Sequence, residues 1–367
     1  MASLGAGAAV VGLITGAAEA VSYILRLVTG PAADRRSRRW KLAGGGYILN
    51  VVVVPLLALA TSMWSATVIV LAERVGKAVK APARDSMLAD AGTAVGHGRA
   101  FGLHEAMDQT GALIGPLIVA LMLAVGAGYQ GSFAVLAVPA VGVVIALAVL
   151  RARSPDTSDY ARASAKPTGD DADAPAAQAL PGLPTRFRWY LGFSALTMSG
   201  YATFGVLSYH LAIHHVVSTA VIPLVYAAAM ATAAVVAIAG GNAYTRSGLR
   251  ALVALPILAA AVPFLSFSTG TWGIWTGAIV WGAAMGLHES TMRAAIADMV
   301  PAERRGRAYG VFGAAYGLTW MIGGAAIGAL YGVSVGSVQV FVVVVEALAL
   351  ATFLPLLRSG PTLAPSP

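Results

Sequence analysis

Apolar residues run along this chain in long unbroken stretches, with polar residues confined to shorter intervals between them. A helix needs about 20 apolar residues to cross a hydrocarbon core of about 30 Å. Eleven stretches approach or reach that length: Ala8–Gly30, Leu42–Ser62, Ser65–Ala81, Arg99–Val125, Gly131–Arg151, Arg188–Ala212, Ser218–Ala243, Arg250–Thr269, Thr271–Arg293, Gly306–Tyr331 and Gly336–Leu357. The strands of a membrane barrel would alternate in polarity over about 10 residues, and these runs do not. The pattern predicts an all-α polytopic membrane protein, since helices satisfy their own backbone in lipid. The interval Ala152–Phe187 differs: it is rich in Asp, with Pro155, Asp156, Asp159, Lys166, Asp170, Asp171, Asp173 and Pro175, and has no periodicity. It reads as a flexible linker that divides the chain into five spans (1–151) and six (188–358), with a short tail at 359–367.

Composition fits that pattern. The chain is 58% hydrophobic and 11% charged, with a mean hydropathy of +0.76, whereas a soluble domain carries about a quarter of its residues as charges. The 24 basic and 16 acidic residues leave a net +8, which alone would suit nucleic acid or an anionic membrane surface. Position decides against nucleic acid. Arg35, Arg36, Arg38, Arg39 and Lys41 follow the first span, Lys80 and Arg84 the third, and Arg151 and Arg153 the fifth. Arg246, Arg250, Arg304, Arg305, Arg307 and Arg358 repeat the distribution, while Thr61–Trp64, Gly126–Gln130 and Gly332–Val335 contain no Lys or Arg. This asymmetry places the amino terminus outside and the linker and carboxyl terminus in the cytoplasm of a plasma-membrane protein. No cysteine is present, which excludes disulfides and thiol chemistry. The chain also lacks a phosphate-binding Gly-x-x-x-x-Gly-Lys-Ser/Thr loop, against ATP-driven pumping, and no cofactor or metal is expected.

The chain also matches itself. Ala89-Asp90 and Gly98-Arg99-Ala100-Phe101-Gly102 align with Ala297-Asp298 and Gly306-Arg307-Ala308-Tyr309-Gly310 at an offset of 208, and Gly30 to Arg35 align with Gly241 to Arg246 at 211. Two parallel repeats are a feature of large secondary transporters. The aligned spans are the fourth of the first half and the fifth of the second, so the register expects a first helix upstream of residue 1 in a six-plus-six plan. Small residues from Gly5 to Ala18 would form the flank that such a helix covers.

Three motifs resemble the major facilitator superfamily. Gly30-Pro31-Ala32-Ala33-Asp34-Arg35-Arg36-Ser37-Arg38-Arg39 is similar to its signature loop Gly-x-x-x-Asp-Arg-x-Gly-Arg-Arg/Lys, with Ser37 in place of Gly. The resemblance implies a tight cytosolic turn, with Asp34 helping to close that side by meeting the facing half near Gly306 and Arg307. Gly102, Gly111, Gly115 and Pro116 resemble the antiporter motif of proton-coupled efflux members, although Val119-Ala120 replaces its closing Gly-Gly. Arg74, followed by Gly76-Lys77-Ala78, resembles a motif linked to proton transfer. Together they imply a major facilitator fold of two helical bundles, working by alternating access as a monomer in the lipid bilayer. Proton-coupled efflux of a small hydrophobic or amphipathic molecule is the activity implied, with uptake of a sugar or organic acid as the alternative.

Acids inside apolar spans supply candidate chemistry, because a charge at the bilayer centre costs about 2.5–3.5 kcal/mol on insertion scales and persists where it pairs, protonates or faces a cavity. Glu19, Glu73, Glu105, Asp108 and Glu289 meet that description. Glu105 and Asp108 are one turn apart and share neighbouring parts of a face. Glu346 lies in a span that the resemblance makes peripheral, and His210 stands near an outer end, where it could meet substrate. His104-Glu105-Ala106-Met107-Asp108 also has the outline of a zinc-binding helix turn, which makes a membrane metalloenzyme the remote rival. A membrane protein without transport activity is a third class.

Overall fold

The computed structural model describes residues 8–157, 159–160, 183–218, 221–268 and 270–358, with side chains for those between 18 and 357. All regular elements among them are helical: α1 Ala8–Asp34, α2 Arg36–Leu56, α3 Met63–Gly92, α4 His97–Ala124, α5 Gly128–Val135, α6 Ala137–Arg153, α7 Thr185–Gly200, α8 Phe204–Ile213, α9 Ile222–Ser247, α10 Ala254–Ser266, α11 Thr271–Met299, α12 Arg305–Tyr331 and α13 Val335–Arg358. Each expected span overlaps a helix. By length and composition, six segments among the described residues could cross a membrane: Arg36–Leu59, His97–Ala124, Gly128–Arg153, Ile222–Ser266, Ala302–Tyr331 and Val335–Leu357. Large apolar side chains face outward, including Val28, Trp64, Leu121, Val138 and Val340. A solvated surface would carry charges at such positions, so this is the exterior of a protein dissolved in lipid.

Several boundaries depart from the sequence reading. The signature segment is helical on both sides of a one-residue turn: α1 continues through Gly30 and Pro31 to Asp34, and Arg35 separates it from α2, which carries Arg38 and Arg39. Helix α3 runs from a capping box at Ser62 and Ser65 to Gly92, so Arg74 is well inside it. The end of the expected linker is helical, because α7 starts at Thr185 after Pro184; residues 161–182, the small flank at Gly5–Gly7 and the tail 359–367 lie outside the described residues.

The sixth expected span is broken into α7 and α8 at Tyr201–Thr203. A break inside a bilayer frees carbonyls that need partners, and two indoles supply them. Trp320 Nε1 donates to Tyr201 O (3.1 Å) and Trp281 Nε1 to Ala202 O (2.7 Å). The main apolar core surrounds these rings in the second half; a small cluster of Ala33, Ala43, Ala83 and Met87 lies in the first. The halves meet where α1 crosses α12 and where α4 crosses α9, at the end of the bundle that carries most of the arginines.

Candidate functional site

Closure of that basic end starts from two uncapped helices. Gly96, at φ +90°, precedes α4 and Arg304 precedes α12, and neither supplies a side-chain cap. First-turn N–H groups then need acceptors from elsewhere, and each helix receives one from the opposite half. The Arg307 N–H donates to Asp34 Oδ1 (3.0 Å), and the Arg99 N–H donates to Thr245 Oγ1 (3.1 Å). Below these caps the backbones touch. A side chain on Gly310 would strike Arg26 O and the Gly30 Cα, and one on Gly102 would strike Ala237 O and the Gly241 Cα. The two sets of residues are related by the same offsets of 208 and 211 that the sequence shows. Phe101 and Tyr309, a repeat pair, face each other across the seam with ring centroids 6.1 Å apart.

Asp90 and Asp298, another repeat pair, complete the closure. Asp90, 1% exposed, is held by Arg39 of its own half (2.7 Å) and Arg305 of the other (3.3 Å). Arg39 also donates to Ala302 O across the seam (3.0 Å). Asp298 meets His97 of the other half (2.6 Å) and the Tyr244 hydroxyl of its own (2.8 Å). Burial pushes the Asp34 carboxyl above its ordinary range, against the Arg307 and Gly306 N–H groups that hold it down. Arg35 precedes α2 and Arg38 is in its first turn, and both lie outside this hydrogen-bonded set.

Deeper in the bundle a second cluster joins the halves. Glu105 of α4 is 1% exposed, accepts from Gln109 Nε2 (2.5 Å), and lies 3.6 Å from the Arg293 guanidinium of α11. Arg293 also pairs with Glu289 one turn back, whose other oxygen accepts from the Tyr316 hydroxyl (2.8 Å). Nearby, the Arg26 guanidinium lies over the Tyr23 ring at 5.1 Å and packs where Gly313 leaves room. Its Nε is buried without a hydrogen-bond partner, and Asp85, itself paired with Arg84 (2.7 Å), is within its electrostatic reach.

The other sequence candidates occupy the first half or the edge of the second. Glu19 pairs with Arg74 (2.8 Å), Arg74 with Glu73 (3.3 Å), and Glu73 with Lys77 and Asn50. Asp108 is exposed and within electrostatic reach of Arg84, Lys80, Glu105 and Arg293, but it is Glu105 that lies at ion-pair distance from Arg293. Three residues along a helix rotate a side chain by about 300°, leaving the two about 60° apart, enough to put one in the seam and the other outside it. Among the described residues nothing lies within 4 Å of where a side chain on Gly111 or Gly115 would sit; of the antiporter-like glycines, Gly102 makes the close contact. Pro116 lies within α4. His210 is buried in the second half against Tyr331 (2.6 Å), and Glu346, in the middle of α13, accepts from Thr197 (2.7 Å). No metal-binding group of three or more His, Asp or Glu occurs among the described residues.

Sequence reasoning missed Arg26, Arg293, His97 and Arg305, and used Asp90 and Asp298 only as repeat markers. The repeat was the available signal for the gate residues, and the Glu289-x-x-x-Arg293 spacing for the deeper pair.

The sequence profile of the Major Facilitator Superfamily matches residues 1–209 and 189–366. Uncharacterized proteins of Mycobacterium tuberculosis and Mycobacterium bovis are 46% identical over 351 residues, covering 95% of this chain and 85% of theirs. The fold is similar to that of the human organic anion transporter MFSD10, with a TM-score of 0.69, 16% identity, and 94% of this chain and 83% of that one covered. The proton:xylose symporter XylE gives a TM-score of 0.67 at 12% identity, with 93% and 86% covered. A profile matched along both halves, and a fold whose halves meet through repeated contacts, make this chain a member of the Major Facilitator Superfamily of membrane transporters.

Proposed function

We propose that the protein is a proton-coupled exporter of a small amphipathic molecule, residing as a monomer in the plasma membrane with its basic end in the cytoplasm. The observation that carries this reading is Glu105, a carboxyl buried in the seam and facing Arg293 of the other half. While Glu105 is ionised, its attraction to Arg293 favours the conformation in which α4 and α11 are together. A proton on Glu105 removes that attraction, and a group that gains and loses a proton as the seam opens to each side in turn couples proton flow to rocking. Glu19 and Asp108 are the further proton-carrying candidates, and Asp34 the gating residue.

The test is transport in proteoliposomes under an imposed proton gradient. Glu105→Gln should abolish uphill movement while leaving substrate exchange at equal pH largely intact, since exchange moves no net proton. Full proton-driven accumulation by Glu105→Gln would overturn the assignment.

Arg26 favours a second reading, in which the cargo is an organic acid. A half-buried guanidinium with no acid at ion-pair distance among the described residues is suited to a substrate carboxylate, and MFSD10 is named as an organic anion transporter. Competition between carboxylate-bearing and neutral analogues, in Arg26→Gln and the unsubstituted chain, distinguishes the two. The organic-acid reading fails if both classes compete equally before and after substitution.

A further inference from the structure

His97 stands between two groups that have no proton to give. Its Nε2 lies 3.0 Å from the backbone carbonyl of Ala89, and its Nδ1 lies 2.6 Å from Asp298 Oδ1. A neutral imidazole has a single N–H, so against a carbonyl and a carboxylate one contact would set lone pair against lone pair. One extra proton resolves the conflict. Counted on the ring, it gives an imidazolium that donates to both; counted on Asp298, it gives a carboxylic acid that donates to Nδ1 while Nε2 donates to Ala89 O. In either description the pair holds one proton more than neutral imidazole plus carboxylate.

The surroundings support that proton. Asp298 reaches His97 from α11, and its second oxygen is occupied by the Tyr244 hydroxyl from α9. Arg99, on the same helix as His97, turns its guanidinium to Asn242 (3.1 Å), and Thr245 of α9 is engaged by the Arg99 N–H. On α3, Asp90 is taken by Arg39 and Arg305. Tyr309 of α12 is within electrostatic reach of Asp298. Among the described residues, His97 is the basic side chain at ion-pair distance from Asp298. In the other copy of the gate, the position of His97 in the repeat is occupied by Arg305, whose charge is permanent.

We propose that His97 and Asp298 form a proton-binding site in the seam at the basic end, which takes up one proton when the halves close and releases it when they part. One gate copy is thus locked by an arginine and the other by a proton. Acid at the basic face holds α4 to α11 across the seam; alkali leaves lone pairs facing each other and loosens that contact. This site is separate from the deeper Glu105–Arg293 pair, and its effect is on closure of the basic end whether or not cargo moves.

The absence of native cysteine permits a direct test. Lys41→Cys and Ser247→Cys place spin labels on exposed positions at the basic ends of α2 and α9, one in each half, and the inter-label distance is measured from about pH 6 to 8.5, across and above the range in which imidazole titrates. The unsubstituted gate should show a longer-distance population that rises severalfold with pH. His97→Arg should hold the short distance throughout, and His97→Gln, which carries no titrating group, should give a distribution that does not follow pH. A pH-independent distribution in the unsubstituted gate would overturn the proposal. So would retention of the original pH response in both variants.

Discussion

Asp34 and Thr245 perform the same task with different chemistry, and that comparison sorts charge from hydrogen bonding at a single side chain. Each accepts the third N–H of a helix in the opposite half, but Thr245 is neutral. The hydrogen bond therefore suffices for the capping role, and the charge on Asp34 adds the helix-dipole contribution of about 0.3–1 kcal/mol, reduced by the burial that disfavours its ionised form. Asp34→Asn, which keeps an oxygen acceptor, should weaken closure only slightly. Asp34→Ala should cost about 1 kcal/mol more, the usual worth of a lost cap. Reactivity of an introduced cysteine inside the basic end measures both, and equal effects of the two substitutions would show that charge, not acceptance, is what matters.

At the scale of helices, closure is a pair of backbone crossings. Helices can approach this closely only where no side chain intervenes, and Gly30, Gly306 and Gly310 in one crossing and Gly98, Gly102 and Gly241 in the other provide that clearance. Gly310→Leu should wedge α1 from α12, with an overpacking cost of about 1–3 kcal/mol carried by the closed conformation alone. The variant should keep its helical circular dichroism and shift to greater labelling at the basic end; unchanged labelling would mean that the crossing is not tight. Much of this level was legible in the residues. Hydropathy located the helices because length and apolarity are local properties, and the repeat singled out Gly30, Gly241, Gly102 and Gly310 because both crossings descend from one pattern. What pairs across the seam was not legible. Glu105 and Asp108 look alike in sequence, and only the rotation of α4 decides which of them meets Arg293. Arg26 and Arg293 sit near the ends of apolar runs, where a basic residue reads as a membrane anchor until the facing half is known.

For the molecule as a whole, alternating exposure requires both crossings to part together, since each joins the same two halves. Linking Arg36→Cys to Glu303→Cys, exposed positions whose side chains meet across the seam at 3.7 Å, with a short bifunctional maleimide should stop substrate exchange while leaving binding from the other face intact. Undiminished exchange in the linked protein would show that the basic end does not need to open. The glycine crossings also bear on how readily it opens. A contact built from leucines would immobilise rotamers every time it formed, at about 0.5–1 kcal/mol for each side chain ordered, and would release that entropy each time it broke. Where peptide meets peptide through glycine there are no rotamers to freeze at the point of contact. The halves can therefore meet and separate with little change in local side-chain disorder, so the rhythm of the cycle falls to the groups whose bonding differs between the two states: two borrowed helix caps, an arginine pair and a proton.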